Sequence, residues 1–467
     1  MKRLNIPRPW YRHTMWLLPG LSFKRWILLG ALGIIFLGIG LALLFNLQPA
    51  TQIIEFLKYI GRRVPREASG PMLAFGGFLL FYVGLRKTWQ TFSNALDYGA
   101  GSSGLLEALY QKHKLARGPR IVAVGGGTGL STLLRGIKHY TSNITAVVTV
   151  GDDGGSSGRL REEQGVIPPG DIRNCISALA DEEQLITELF QYRFKTGHGL
   201  EGHSFGNLFL TAMCQITGDM FSAIKESSKV LKIRGRVLPS TLDNVTLSAE
   251  MEDGRVVTGE SQIPKAEGKI LRLKCDPVCP KALPEVLEAI ENAELVVLGP
   301  GSLYTSVVPN LLMTEISEAV LASPAPKVYV SNIMTQPGET DAFSVADHIQ
   351  VIYDHAGHAN IVDAVFVNNS LPEPLVEKYR QTNNSVPVAL DRERCHELGV
   401  TVIETMLIDE TETQTIRHHP KRLARSIIHW FKQHYPQEKS VSTQAPRNLS
   451  VAATENDMPP PTAMKSK

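Results

Sequence analysis

Two textures of apolar pattern divide the chain. From residue 119 onward, short apolar runs of strand type alternate with amphipathic helical stretches. The runs are Arg120–Val124, Ile144–Val150, Glu294–Leu298, Lys327–Asn332 and Ala364–Asn369. Helical patterns cover Ala282–Asn292, a stretch ending near His355, and a basic amphipathic stretch from Leu423 to Tyr435. Strands alternating with helices predict an α/β domain with a doubly wound, mainly parallel sheet over 119–435. The rhythm breaks at about 228–275. There VTLSAEM, RVVTGE and KILRLKC are separated by turn residues such as Glu252-Asp253-Gly254, which predicts a small β-rich antiparallel insertion.

The first part of the chain has longer apolar segments. Trp26–Phe45 carries no charge and matches the roughly 20 residues of a membrane-spanning helix. The 46–49 stretch (NLQP) offers no small-residue cleavage site, so the pattern predicts a retained helix rather than a signal peptide. A second run at 70–86 is short for a span and is closed by Arg86 and Lys87. Between them, residues 53–66 (IIEFLKYIGRRVPR) are amphipathic and basic, a pattern suited to a membrane face. One or two transmembrane helices are therefore expected within 1–96, a Gly-rich linker over 97–118, and a disordered Pro-, Ser- and Thr-rich tail over 436–467.

Charge sharpens this division. Residues 1–117 hold 15 Lys and Arg against 4 Asp and Glu, whereas the rest holds 33 against 42. The basic segment suits an anionic membrane surface, and the positive-inside rule puts the α/β domain in the cytoplasm, on the inner membrane face. The acidic domain is a poor binder of phosphate backbones, so nucleic acid is not an expected partner. The five cysteines are scattered; Cys275 and Cys279 lack a second pair with zinc spacing. Nothing in the pattern fixes partner proteins, and a homo-oligomer is compatible with it.

Candidate chemistry sits where strands run into glycines. Arg120–Val124 opens into Gly125, Gly126, Gly127, Thr128 and Gly129 and then a helix start. Such a junction lets backbone N–H groups and a helix N-terminus approach an anion. Leu130 stands where G-x-G-x-x-G needs its last glycine, and no Walker A lysine follows, so neither standard dinucleotide nor standard ATP loop is present. A second junction, Gly299-Pro300-Gly301-Ser302-Leu303-Tyr304, follows Glu294–Leu298. Tyr304 is a candidate to stack on a base or sugar. Between them, Ile144–Val150 opens into Gly151-Asp152-Asp153-Gly154-Gly155-Ser156-Ser157-Gly158. The ends of strands in open α/β sheets are where ligands bind, so Asp152 and Asp153 are candidates for holding a metal, accepting ligand hydrogen bonds or acting as a base. Pro168–Asn174 supplies Arg173, suited to a bidentate phosphate contact, and Asn174. His203, Ser204 and Asn207 cluster before an apolar helix, but no G-x-S-x-G elbow surrounds Ser204, so polar contacts or capping outweigh a nucleophile.

Together these segments resemble a known family. VAVGGGTGLSTLLRGIK, VVTVGDDGGSSGRLR, PPGDIRNCISALAD, GHSFGNLFL, VVLGPGSLYTSVVPNLL and SNIMTQPGETD look like the YvcK, or gluconeogenesis factor, family within the CofD-like superfamily. The resemblance covers about 119–435 and implies a Rossmann-like fold. It implies a UDP-sugar ligand, with UDP-N-acetylglucosamine as the expected one, and a role in cell shape and growth on gluconeogenic carbon sources. The superfamily's enzyme branch implies the alternative, an Mg²⁺-dependent 2-phospho-L-lactate transferase acting on a nucleotide-linked donor. Carried onto this chain, the phosphate loops are Gly125–Gly129 and Gly299–Ser302. The ligand-facing polar groups are Asp152, Asp153, Ser156, Ser157, Asn174 and Asn207. The N-terminal 118 residues depart from the soluble family pattern.

Overall fold

The structure, a computed structural model, describes residues 114–181, 183–408 and 415–435, together with the helical positions Glu55 and Tyr59. The segments at 26–45 and 70–86, and the tail at 436–467, lie outside the described residues. Among the described residues no helix is long and apolar enough to cross a membrane. The chain divides into two compact units. In the smaller, which includes His139–Asn143, Thr141 Oγ1 donates to the Pro119 carbonyl at 2.9 Å and Asn143 Nδ2 to the Gly118 carbonyl at 2.7 Å.

The larger unit is the α/β domain. Its seven strands are β1 (Ile121–Gly125), β2 (Ile144–Val148), β3 (Arg236–Pro239), β7 (Leu295–Leu298), β8 (Lys327–Val330), β9 (Ala364–Asn368) and β10 (Thr401–Thr405). They lie in the order β10-β9-β8-β7-β1-β2-β3, and every neighbouring pair is parallel. All of β1, β2 and β7 is buried, as expected of parallel strands covered on both faces, and this is why they read as unbroken apolar runs. The order sets the position of the site. From β1 the chain builds outward through β2 to β3, then returns to the other side of β1 and builds outward from β7 to β10. Progression reverses between β1 and β7, so a crevice is expected outside their carboxyl ends.

Helices after β1 and β2 are α1 (Gly127–Ile137), α2 (Gly155–Gln164), α3 (Gly170–Leu179), α4 (Glu183–Gln191), α5 (Phe205–Thr217) and α6 (Met220–Val230). The antiparallel insertion comprises β4 (Thr246–Met251), β5 (Val256–Thr258) and β6 (Ile270–Asp276), with β4 in the middle. It begins later than the pattern at 228 suggests, because the short run Arg236–Pro239 pairs in parallel with β2 and completes the main sheet. The second half holds α7 (Pro284–Glu291), a π-helical turn (Leu303–Val307) continued by α8 (Val308–Leu311), α9 (Thr314–Ala322), α10 (Val345–Ala356), α11 (Glu373–Asn383), α12 (Arg392–Glu397) and α13 (Pro420–His434). Helix α13 buries Leu423, Ala424, Ile427, Ile428, Trp430 and Phe431, the apolar stripe of its amphipathic pattern.

Candidate ligand cleft at the reversal of strand order

The two glycine loops leave adjacent strands and abut. A Cβ on Gly129 would lie 2.4 Å from the Pro300 carbonyl oxygen, so only glycine lets the loops touch. Beside them opens a cleft of about 860 Å³. Gly126–Gly129 and Pro300–Ser302 form its floor. Asp152, Asp171, Glu260 and Glu339 give it an acidic side, and Tyr379, Asn383, Arg417 and His418 lie in its remaining wall. The insertion takes part through Glu260 and Pro264.

The first loop is already engaged by one of the chain's own carboxylates. Gly126 is the extended N-cap of α1, and the Gly127 N–H donates to Asp171 Oδ2 at 2.6 Å. Asp171 stands in the first turn of α3 and meets the positive end of α1, a favourable place for an anion. Burial, reinforced by the nearby Asp152, pushes its carboxyl up to about 6. The Ser131 and Thr132 hydroxyls turn back to the Thr128 carbonyl, at 2.9 and 2.8 Å. In the second loop, Ser302 Oγ accepts from Gln336 Nε2 at 2.7 Å, which ties it to the 334–341 segment.

The sequence candidates part company here. Gly126, Gly127, Thr128, Gly129, Asp152, Gly301 and Ser302 line the cleft, while Gly125 closes β1 and Gly299 packs against Gly125. Asp153 is turned to the insertion, where its Oδ1 accepts the Ser261 N–H at 2.8 Å. Tyr304 is 1% exposed and packs edge-on against Phe343 and His355, so its ring is a core residue and does not reach the ligand space. The π-helical turn that follows Ser302 carries it inward.

Ser156, Ser157, Arg173, Asn174, His203 and Asn207 form a separate polar network at the starts of α2, α3 and α5. Ser156 Oγ lies 3.0 Å from His203 Nδ1 and accepts from Asn207 Nδ2 at 3.1 Å, and the same amide reaches Ser157 Oγ at 3.4 Å. Arg173 donates to Ser204 Oγ at 2.6 Å and to Asn174 Oδ1 at 3.0 Å. Ser204 caps α5 by accepting from the Asn207 N–H. Ser156, His203, Ser204 and Asn207 are all buried, so this network braces three helix N-termini rather than presenting a nucleophile.

Residues missed by sequence reasoning complete the cleft. Asp171 lies inside the quoted PPGD segment and Glu339 inside MTQPGETD, but neither stands out from its neighbours. Glu260 comes from the insertion, and Tyr379, Arg417 and His418 come from α11 and the approach to α13, with no local motif to mark them. Burial pushes Glu339 up to about 7, and its carboxylate accepts a hydrogen bond from the Tyr304 main-chain N–H. Burial, together with Asp152, Asp171, Asp153 and Glu339, pushes Glu260 well above the carboxylate range. Burial lowers His418 to about 4, and its bond to the Ser331 main chain leaves Nε2 without a partner. Among the described residues no three His, Cys, Asp or Glu side chains are grouped to hold a metal ion, and Asp152 also accepts the Gly154 N–H at 2.9 Å.

The CofD family profile, described as 2-phospho-L-lactate transferase CofD, matches residues 121–408. The chain belongs to the CofD family. Within that family its high-identity relatives are gluconeogenesis factors. The gluconeogenesis factor of Bacillus subtilis is 48% identical over 316 residues, 68% of this chain and 99% of that protein. A provisionally named gluconeogenesis factor from Nostoc sp. is 50% identical over 428 residues, 90% of this chain and 92% of that protein. A crystal structure of a protein from Bacillus halodurans, 49% identical, superposes with a TM-score of 0.64 and covers 67% of this chain and 100% of that one. That solved structure thus shares the α/β fold.

Proposed function

We propose that this CofD-family protein binds a nucleotide sugar, UDP-N-acetylglucosamine, and acts as a regulator of the gluconeogenesis factor type. In this reading it links sugar-nucleotide supply to envelope growth and cell shape on gluconeogenic carbon sources. The α/β domain would work at the cytoplasmic face of the membrane. The observation that carries the reading is the cleft at the β1–β7 reversal, floored by two abutting glycine loops and large enough for a nucleotide sugar. The diphosphate belongs on the loops, against the N-terminus of α1 and Ser302. The half-buried Tyr379 is the aromatic side chain placed to meet the base or sugar, and Arg417 is the one arginine or lysine among the described lining residues.

Calorimetric titration of the full-length chain with UDP-N-acetylglucosamine, with and without Mg²⁺, tests this. Saturable binding, weakened at least about tenfold in Tyr379→Ala and Arg417→Ala, with intact ligand recovered afterwards, is the expected result. No heat of binding at millimolar ligand would overturn it. The match to a transferase profile favours a second reading, transfer from a nucleotide-linked donor. Consumption of such a donor would replace the regulator with an enzyme.

A further inference from the structure

We propose that the cleft offsets part of a bound diphosphate's charge with a proton, which the buried carboxyl of Glu339 takes up as the ligand docks. The inference rests on the nucleotide-sugar reading and concerns how that same site tolerates its ligand's charge. Four carboxyl groups line the cleft, those of Asp152, Asp171, Glu260 and Glu339, against one arginine, Arg417, which is exposed. A diphosphate adds two negative charges within a partly shielded space, where like charges repel more strongly than in water. The first N–H of α1 gives little relief because Asp171 already occupies it. The countercharge must come from a cation or from protons.

At Glu260 and Glu339 the geometry favours protons over a cation. Oε2 of Glu260 and Oε2 of Glu339 are both shielded from solvent and both lack a hydrogen-bond partner. A divalent cation such as Mg²⁺ needs about six oxygens and usually keeps several waters, which a sealed single oxygen cannot accommodate. A proton needs no such room. Glu339 is also unable to swing out to water. Its carboxylate holds the Tyr304 N–H, and Gln336 ties its loop to Ser302. Gly338, at φ +79°, lies against the Pro264 carbonyl so closely that any Cβ would collide with it. Glu260 is held by its neighbour Ser261, whose N–H donates to Asp153.

The groups facing Glu260 all raise it, whereas at Glu339 the Tyr304 N–H works against burial. Glu260 faces Asp152, Asp153 and Asp171 from the β2 end and α3, and Glu339 from the 334–341 loop. Asp354 and Asp347 of α10, with Glu339, also raise the buried Tyr304 hydroxyl. His418, held neutral by burial, brings no charge near pH 7. Glu339 at about 7 and Asp171 at about 6 already stand near neutrality, and added phosphate charge moves both upward.

The test titrates the full-length chain with UDP-N-acetylglucosamine near pH 7 in buffers of different ionisation enthalpy, with EDTA present. This probe's diphosphate is substituted at both ends and has no proton to exchange near neutrality, so any uptake belongs to the protein. The expected result is uptake of roughly half to one proton per ligand, with affinity falling from pH 6 to pH 8 by up to about tenfold per pH unit. Glu339→Gln supplies a neutral isostere; it should reduce uptake and hold affinity at pH 8 at or above the wild-type level. Circular dichroism confirms folding, and the buffer dependence and pH dependence of wild-type binding serve if Glu339→Gln fails to fold. Buffer-independent heats, or uptake undiminished in a folded variant, would overturn the coupling and leave the nucleotide-sugar reading standing. Binding that EDTA abolishes would overturn it in favour of a cation. A wild-type chain that binds nothing at any pH in this range, with or without Mg²⁺, would overturn the nucleotide-sugar reading and the coupling together.

Discussion

Tyr304 and Tyr379 show how little a residue's type says about its duty. Tyr304 follows the second glycine loop yet is packed between Phe343 and His355, while Tyr379, on α11, lines the cleft and accepts the Ile416 N–H on its hydroxyl at 3.0 Å. Tyr304→Ala should therefore cost about 3 kcal/mol or more of stability by opening a core cavity, measured by urea unfolding, and Tyr304→Phe should leave ligand affinity within about twofold. If Tyr304→Phe alone removed binding, the buried position of the ring would be irrelevant to its role. Gly129 makes the opposite case. It has no side chain, but Gly129→Ala drives a methyl into the Pro300 carbonyl and pushes the loops apart. Affinity for UDP-N-acetylglucosamine should fall at least about tenfold with the far-ultraviolet spectrum retained, and wild-type affinity would show that the loops need not touch.

Among the elements, the insertion is the one that turns a generic crevice into a walled cleft. It is tied down at Asp153 and, on its far side, by the Leu273 N–H donating to His355 Nε2 at 2.9 Å. His355 Nδ1 contacts the Val351 carbonyl at 2.8 Å, so it carries the proton and Nε2 is the acceptor. Burial holds this imidazole below its ordinary value. The tie is complete above the unfolded histidine pKa and is lost as pH falls through the lowered folded value. Asp153→Ala should accelerate amide exchange across 246–276 without changing exchange in β1 and β2; unchanged insertion exchange would show that Asp153 is not its anchor. These ties mark the boundary of what the sequence shows. Parallel strands announce themselves as apolar runs because both faces are covered, and glycine loops announce themselves by composition. The opposite assignments of Asp152 and Asp153 depend on which way one turn directs adjacent side chains. Glu260, Glu339, Tyr379 and Arg417 meet only because distant segments converge, and no local pattern encodes that. The short strands Arg236–Pro239 and Thr401–Thr405 sit at the two edges of the sheet, where the apolar signal is weakest.

For the whole domain, the buried acids set a direction for stability against pH. Asp171 and Glu339 bind protons more tightly folded than unfolded, with folded values of about 6 and about 7. Their contribution is fully present below the ordinary carboxylate range and is lost as pH rises through the folded values. The acids' contribution should thus decline between about pH 4.5 and pH 8, with Glu339 alone accounting for on the order of 3 kcal/mol across that span, while buried histidines such as His418 act in the opposite sense. Glu339→Gln removes that titration, so the stability difference between variant and wild type should shift steadily in the variant's favour as pH rises. Urea unfolding at intervals across the range checks this, and a difference that stays flat would mean that Glu339 is ionised throughout. A protein that holds acids at the edge of protonation in its own ligand cleft gives up stability at neutral pH for a site whose charge can adjust. Nucleotide-sugar binding should therefore stabilise the wild-type domain more at pH 6 than at pH 8, in the same direction as the proton uptake expected at the site.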